Sequence, residues 1–514
     1  MVARAAALVC FAASLFRAYA RAGALVVWPW ACLAAPCESL AQNDSRPELV
    51  RTDAAPRPRT YGELTREIEL RRRDLEELNV SVGDRALTPA ELERRRMLSL
   101  EIDRLDAQRG RLEQGEAVTE NDDSVGARWS RFRASFRDIT SWDVRDGMFR
   151  FQVGVRAQLD ATYGVEDDSI EDALGSIDEG VRLRRARVFA KGRLLRAMDF
   201  WVELDVGEDA GLKNAYIDGA RLSGWISEHF RWRIGKFQEP FSIGRMTSSN
   251  YTGFMEIGLP ADTFAPGRNV GLMLRHAESN ERLTWAASLT TNGGSTADNP
   301  NNSKLTFTGR ATGIPVLFED HSGFVHVGIS ISDRRPTSDD IRYRARPEAR
   351  FAPVYADTGL IASDRTSLLG VELAIVKGSN WLQGEWIRAS LDASAVGNPS
   401  FTGSYLEMGR FLTGEQRAYD RSEGTVDRVT PHTIYRGGNP FRSNGSRGAL
   451  EVTARYSTVD LTDAAIAGGT MHDVTLGLNW YINAESRVML NYVHSNLHGA
   501  GNTDIVLLRF QYNP

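Results

Sequence analysis

From residue 148 to residue 512 the side chains alternate between apolar and polar with a period of two, and that alternation decides what this chain can fold into. Met148–Ala161 is the clearest instance. Phe149, Phe151, Val153, Val155, Ala157 and Leu159 fall on one face, and Arg150, Gln152, Gly154, Arg156, Gln158 and Asp160 on the other. A period of two marks a strand whose two faces meet different surroundings. The run exceeds the roughly five or six residues of an ordinary globular strand. It matches the length that crosses a bilayer when tilted.

The pattern recurs down the chain. Phe200, Val202, Leu204 and Val206 alternate with Asp199, Trp201, Glu203 and Asp205, and Phe230, Trp232 and Ile234 with Arg231, Arg233 and Gly235. Later, Val474, Leu476, Leu478, Trp480 and Ile482 alternate with Thr475, Gly477, Asn479 and Tyr481, and Val506, Leu508, Phe510 and Tyr512 close the series. Such segments number about sixteen, separated by glycine- and asparagine-rich stretches such as 291–302 and 437–448. After residue 42 no apolar run reaches the ~18 residues of a membrane-spanning helix. A secreted chain without such a helix crosses a membrane only as a closed barrel, because lipid satisfies no backbone polar groups. The expected fold is all-β: a transmembrane antiparallel β-barrel of about sixteen strands over 148–514. Sixteen strands enclose an aqueous lumen, not a side-chain core. A soluble sandwich would turn the apolar face inward; strand length, strand count and export favour the barrel.

Export is expected from the N-terminus. Arg17 and Arg21 form a basic start, Ala22 to Ala35 is apolar, and Ser39-Leu40-Ala41 offers a small-x-small cleavage site, so 1–41 reads as a signal peptide. All three cysteines, Cys10, Cys32 and Cys37, fall inside it. Its removal leaves no disulfide and no cysteine-ligated metal. Residues 42–60 read as a proline-rich linker. Residues 61–115 take helical spacing: Leu64, Ile68, Leu75, Leu78 and Val82, then Leu98, Ile102, Leu105 and Leu112. Thr88-Pro89-Ala90-Glu91 announces the second helix, with threonine as N-cap and glutamate placed to close a capping box. A short α-helical hairpin or coiled coil on the periplasmic side is expected, followed by a linker at 116–147. It is a solvated spacer or a contact for cell wall or a coiled-coil partner.

The formal charge of −5 over 514 residues argues against a nucleic-acid binder. Of 62 basic residues only five are lysine: Lys191, Lys213, Lys236, Lys304 and Lys377. Arginine is a fixed, weakly hydrated fork suited to anion contact, although genomic base composition produces the same bias. The histidines His276, His321, His326, His432, His472 and His494 sit in no G-x-S-x-G turn and no H-E-x-x-H helix. No enzyme, catalytic residue, metal or cofactor is expected.

Several segments carry a family resemblance. They are RRARVFAKG at 184–192, LKNAYI at 212–217, IGKFQEPFS at 234–242, GRNVG at 267–271, LTGEQRAYD at 412–420 and GALEVTARYS at 448–457. In this order the chain resembles the phosphate-selective porin O and P family over roughly 148–514. The resemblance implies a sixteen-stranded outer-membrane barrel, commonly a homotrimer, that passes phosphate-like anions by diffusion. A second reading makes the barrel an anchor whose helices tether the outer membrane to cell wall or partner chains.

Selectivity in a wide pore comes from charged rings at a constriction. The alternation turns Arg150, Arg156, Arg231 and Arg233 away from the apolar face. A register shift near Arg184 adds Arg185, Arg187, Lys191 and Arg193, and Lys236 of the IGKFQEPFS run joins them. The 238–268 loop is expected to fold into the lumen and to set Arg245 and Arg268 against Glu239, Glu256 and Asp262. Asp199, Glu203 and Asp205 neutralise part of this lining.

Overall fold

The structure, a computed structural model, describes scattered positions between residues 67 and 105, residues 141–144, and residues 148–513 except 196, 221–229, 279–281, 292–302, 319–322, 337–339 and 436–446. The expected signal peptide and the 42–60 linker lie outside the described residues. The chain divides into two compact units, residues 1–130 and 131–514.

In the first unit, Ile68, Ile102 and Leu105 bury one another with Leu75 packed alongside, and Arg71 Nε meets Glu101 at 2.9 Å. The reciprocal cap is present: Thr88 N–H donates to Glu91 Oε2 at 2.9 Å and Glu91 N–H to Thr88 Oγ1 at 3.3 Å. Two otherwise orphaned helix-end donors are thereby satisfied.

In the second unit sixteen antiparallel strands close into one barrel. The first eight are β1 (Phe149–Glu166), β2 (Gly180–Leu194), β3 (Met198–Asp205), β4 (Gly211–Ala220), β5 (Phe230–Gln238), β6 (Arg268–Ala277), β7 (Leu283–Thr291) and β8 (Ser303–Leu317). The rest are β9 (Gly323–Pro336), β10 (Arg365–Lys377), β11 (Asn380–Asp392), β12 (Ser400–Phe411), β13 (Ala449–Asp463), β14 (Ile466–Tyr481), β15 (Ser486–Leu497) and β16 (Gly501–Tyr512). Each pairs with the next, and β16 returns to β1 with Ala157 opposite Tyr512 and Glu166 opposite Thr503. A further short strand, Ser141–Val144, pairs with the start of β1.

The two faces separate as the alternation demands. In β10, Leu369, Val371 and Leu373 are 37–43 % exposed on the outer face, whereas Thr366, Leu368, Glu372 and Ala374 are buried inside. Val155, Leu204, Ile234, Leu289, Ile329, Leu406 and Leu476 continue the exposed apolar band on other strands. Buried polar side chains such as Thr308, Asn479 and Ser495 line the interior. This inside-out distribution suits a lipid surround and would be unfavourable in water. β2 carries the one irregularity that matters for its lining: Gln158 faces Arg185 but Leu159 faces Leu183, so Arg184 is a bulged extra residue.

Because the strand number is even, the chain enters and leaves the barrel at one end. The connections there include the short turns 195–197, 378–379 and 482–485, and the long connection 412–448 between β12 and β13. At the opposite end the long connections are 239–267, between β5 and β6, and 337–364, between β9 and β10.

Val371 stands mid-strand on the outer face. Val371→Arg is expected to lower folding stability in lipid vesicles by about 2–4 kcal/mol, with Val371→Leu near neutral, in a urea titration.

Candidate functional site

The described parts of the three long connections fold inward and are fastened by carboxylates and arginines of the wall. The first contains α1 (Ile243–Met246) and α2 (Leu259–Thr263). Two N–H groups at the start of α1 donate to wall carboxylates, Ile243 to Glu372 at 2.8 Å and Gly244 to Glu385 at 2.7 Å. Arg509 of β16 is fully buried; it holds Asp160 of β1 through two 2.7 Å bonds, and also Glu256 and the Met255 carbonyl of the same connection. In the second connection, Glu348 accepts from Arg455 Nε at 2.8 Å and also from Ser457 and Thr475. In the third, the hairpin Tyr419–Asp420/Thr425–Val426 is held by Arg310, which donates to the carbonyls of Glu423 and Gly424, and by an ion pair of Arg275 with Glu423. Glu239 lies in this packed half: it accepts from Asn269, Thr290, Thr308 and Arg334 and is fully buried. It does not face Arg245 or Arg268.

What remains open runs along β1–β6. A cavity of about 630 Å³ takes its wall lining from these six strands and the short β3–β4 turn, and its remaining lining from the three inserted connections. A second cavity of about 660 Å³, lined by Arg150, Arg193, Asp199 and neighbours, opens at the end that carries the strand termini. The two share Lys191, Trp201 and Tyr216 as common wall. The first of these cavities is lined by twelve basic and eight acidic side chains, a surplus of positive charge.

Arg156, Arg185, Arg187, Lys191, Arg233, Arg245 and Arg268 all line the first cavity, while Arg150, Lys191 and Arg193 line the second. Arg231 reaches Asp199 at 3.9 Å beside the second one. Several are paired: Arg156 and Arg187 share Glu203 at 3.0 and 3.1 Å, Arg233 forks onto Asp218, and Arg245 meets Asp262 at 3.6 Å. Others carry only neutral partners. Arg185 donates to Gln158 at 2.8 Å and Arg268 to Asn214 at 3.2 Å. Lys191 lies 5.6 and 5.9 Å from the centres of the Phe189 and Trp201 rings.

Lys236 is the exception among the expected lining residues. It stands opposite Ala215 and Val270 and shares the parity of Ile234, which is 55 % exposed on the outer face. The alternation of β5 carries through to it and turns it away from both cavities. Sequence reasoning also missed Lys213, Arg346, Arg350 and Arg428, which line the first cavity from a bulge and from connections without periodicity. Arg346-Pro347-Glu348-Ala349-Arg350, a charged knot in a long connection, is the available signal for two of them. Burial alone would raise the Asp209 carboxyl of the β3–β4 turn, but Arg184 and Arg350 outweigh it and hold it at about 2. This anion therefore persists as a fixed countercharge at the distal mouth.

The family described as phosphate-selective porin O and P matches residues 151–513, which is the whole barrel. The chain belongs to that family. Porin O of Pseudomonas aeruginosa is 23 % identical over 416 residues, covering 71 % of this chain and 89 % of the relative. An uncharacterized protein of Caulobacter vibrioides is 27 % identical over 371 residues, 68 % of each chain. Among solved structures, outer-membrane expressed OmpT of Vibrio cholerae aligns with a TM-score of 0.41 at 12 % identity, covering 70 % of this chain and 98 % of that one. OccK10 of Pseudomonas aeruginosa aligns at 0.34 and 13 %, covering 70 % and 98 %. This member of the porin O and P family is an outer-membrane β-barrel channel.

Gly154 of β1 lets the Phe189 ring lie flat on the wall, since a Cβ there would come within 2.3 Å of Phe189 Cζ. Gly154→Val is expected to push the ring into the passage and lower single-channel conductance in a planar bilayer, while heat stability of the barrel changes little.

Proposed function

We propose that this porin passes small anions, phosphate-like oxyanions among them, by passive diffusion. The observation that carries the reading is the set Arg185, Lys191 and Arg268. They line the open half of the lumen, and among the described residues no carboxylate lies within ion-pair distance of them. An uncompensated cation in a passage with low-dielectric walls raises the local anion concentration and repels cations. The paired arginines around it add a graded positive potential without trapping the solute. The carboxylates at the same wall, Glu203 and Asp218, keep the field finite, so that anions leave as readily as they arrive.

The chain end of the barrel and the helical unit are both assigned to the periplasm, and outer-membrane lipid surrounds the barrel. Family membership supports a homotrimer. A second role rests on the helical unit: Leu70 and Met97 keep apolar side chains 53 and 58 % exposed, which fits contact with a cell-wall or coiled-coil partner. Deleting residues 60–116 separates the roles, because lost envelope attachment with intact conductance supports the tether.

Under a potassium chloride gradient across a planar bilayer, the reversal potential is expected to lie towards that of chloride. A cation-side reversal potential at neutral pH would remove the anion preference and leave the channel. The double change Arg150→Ala and Arg156→Ala is expected to shift the reversal potential towards zero; an unmoved value means that these side chains lie away from the selective region.

A further inference from the structure

Where the two cavities meet, the wall is aromatic, with Trp201 and Tyr216 shared and Phe189 on the side of the first. Phe189 of β2, Trp201 of β3 and Tyr216 of β4 stand on three adjacent strands, with Lys191 directly opposite Trp201 and Trp201 opposite Tyr216. Their ring centres follow one another at 6.4 and 6.3 Å. Cations lie over them: Arg156 at 4.9 and 5.2 Å from the Phe189 and Trp201 centres, and Arg233 at 4.1 Å from that of Tyr216. Lys191 completes the group. Two N–H donors here, Trp201 Nε1 and Arg156 Nε, are buried and make no hydrogen bond. A buried donor without an acceptor costs free energy, which an oxyanion passing at that level would relieve.

The rings stand on the strand wall of a cavity where their wall neighbours are mostly charged, such as Arg156, Arg187, Lys191, Glu203 and Arg233. Selection for a bare inorganic anion requires only the cations. Rings at the same level add a surface that an apolar, planar solute recognises by edge-to-face or offset contact.

We propose that the junction formed by Phe189, Trp201, Tyr216, Arg156 and Lys191 is a subsite for oxyanions that carry a planar ring, such as aryl phosphates. The oxyanion meets Lys191 Nζ and the free N–H groups of Trp201 and Arg156, while the ring of the solute lies against the aromatic strip. The inference rests on the channel reading above and narrows its substrate class.

Phenyl phosphate and methyl phosphate carry the same charged group and differ in the ring. Block of chloride conductance by each is measured on the full-length protein in planar bilayers. Phenyl phosphate is expected to half-block at about three- to tenfold lower concentration, the range that one aromatic contact supplies. In Trp201→Leu that ratio is expected to fall to about one, and Phe189→Leu provides the same readout should the first variant fail to insert. Lys191→Gln is expected to weaken block by both solutes. Equal half-block concentrations in the unaltered protein would overturn the subsite and leave the channel standing. A ratio that persists in both ring variants overturns it as well. Absence of any chloride conductance would instead remove the channel reading and the subsite together.

Discussion

Everything in the barrel depends on closing the sheet. Lipid offers no partner to a backbone N–H or C=O, so a strand edge facing the bilayer would leave a whole row of groups unsatisfied. Closure places β16 beside β1, sequence neighbours to no one, across the full length of the unit. The seam is fixed where Asp160 and Arg509 stand directly opposite each other and form two charge-assisted bonds in the dry interior. The same guanidinium reaches Glu256 and the Met255 carbonyl, so one buried side chain ties together the closing seam and the first inserted connection. Removing one partner of such a buried group is strongly destabilising because the other charges stay desolvated.

The lumen is divided by charge. Carboxylates of the β9–β14 side, Glu372, Glu385 and Glu407 among them, are consumed by fastening inserted backbone and arginines. Among the basic residues of β1–β6, Arg185, Lys191 and Arg268 are not consumed in that way and border the open passage. The net charge of the chain, −5, therefore says little about the potential that a solute meets. An acidic protein presents a basic path because its acids are spent as fasteners on the other side.

Much of this was legible in the residues. The alternation of Phe149–Leu159 against Arg150–Asp160 fixed strand type, outer face and crossing length, because period two has one geometric meaning. The run Arg184-Arg185 announced a change of parity, and the bulge is found there. Lys236 was misplaced although the even positions Phe230, Trp232 and Ile234 already pointed outward; a motif was followed where the alternation should have been. The connections 337–364 and 412–448 were unreadable for a different reason. Their inward course is set by long-range partners such as Arg455 and Arg310, and contacts of that kind leave no local period. The aromatic strip likewise needs the inter-strand register, since Phe189, Trp201 and Tyr216 are distant in sequence and meet only through pairing.

The bulge at Arg184 has a disproportionate reach. Before it, Val181 and Leu183 face outward; after it, Val188 does, and Arg185, Arg187, Lys191 and Arg193 turn to the interior. One inserted residue thus works as a phase switch, inverting everything downstream on that strand without altering its composition. Genetic drift by a single codon at this point would present four cations to hydrocarbon and withdraw them from water, so the identity of the passage hangs on a count, not on a side chain.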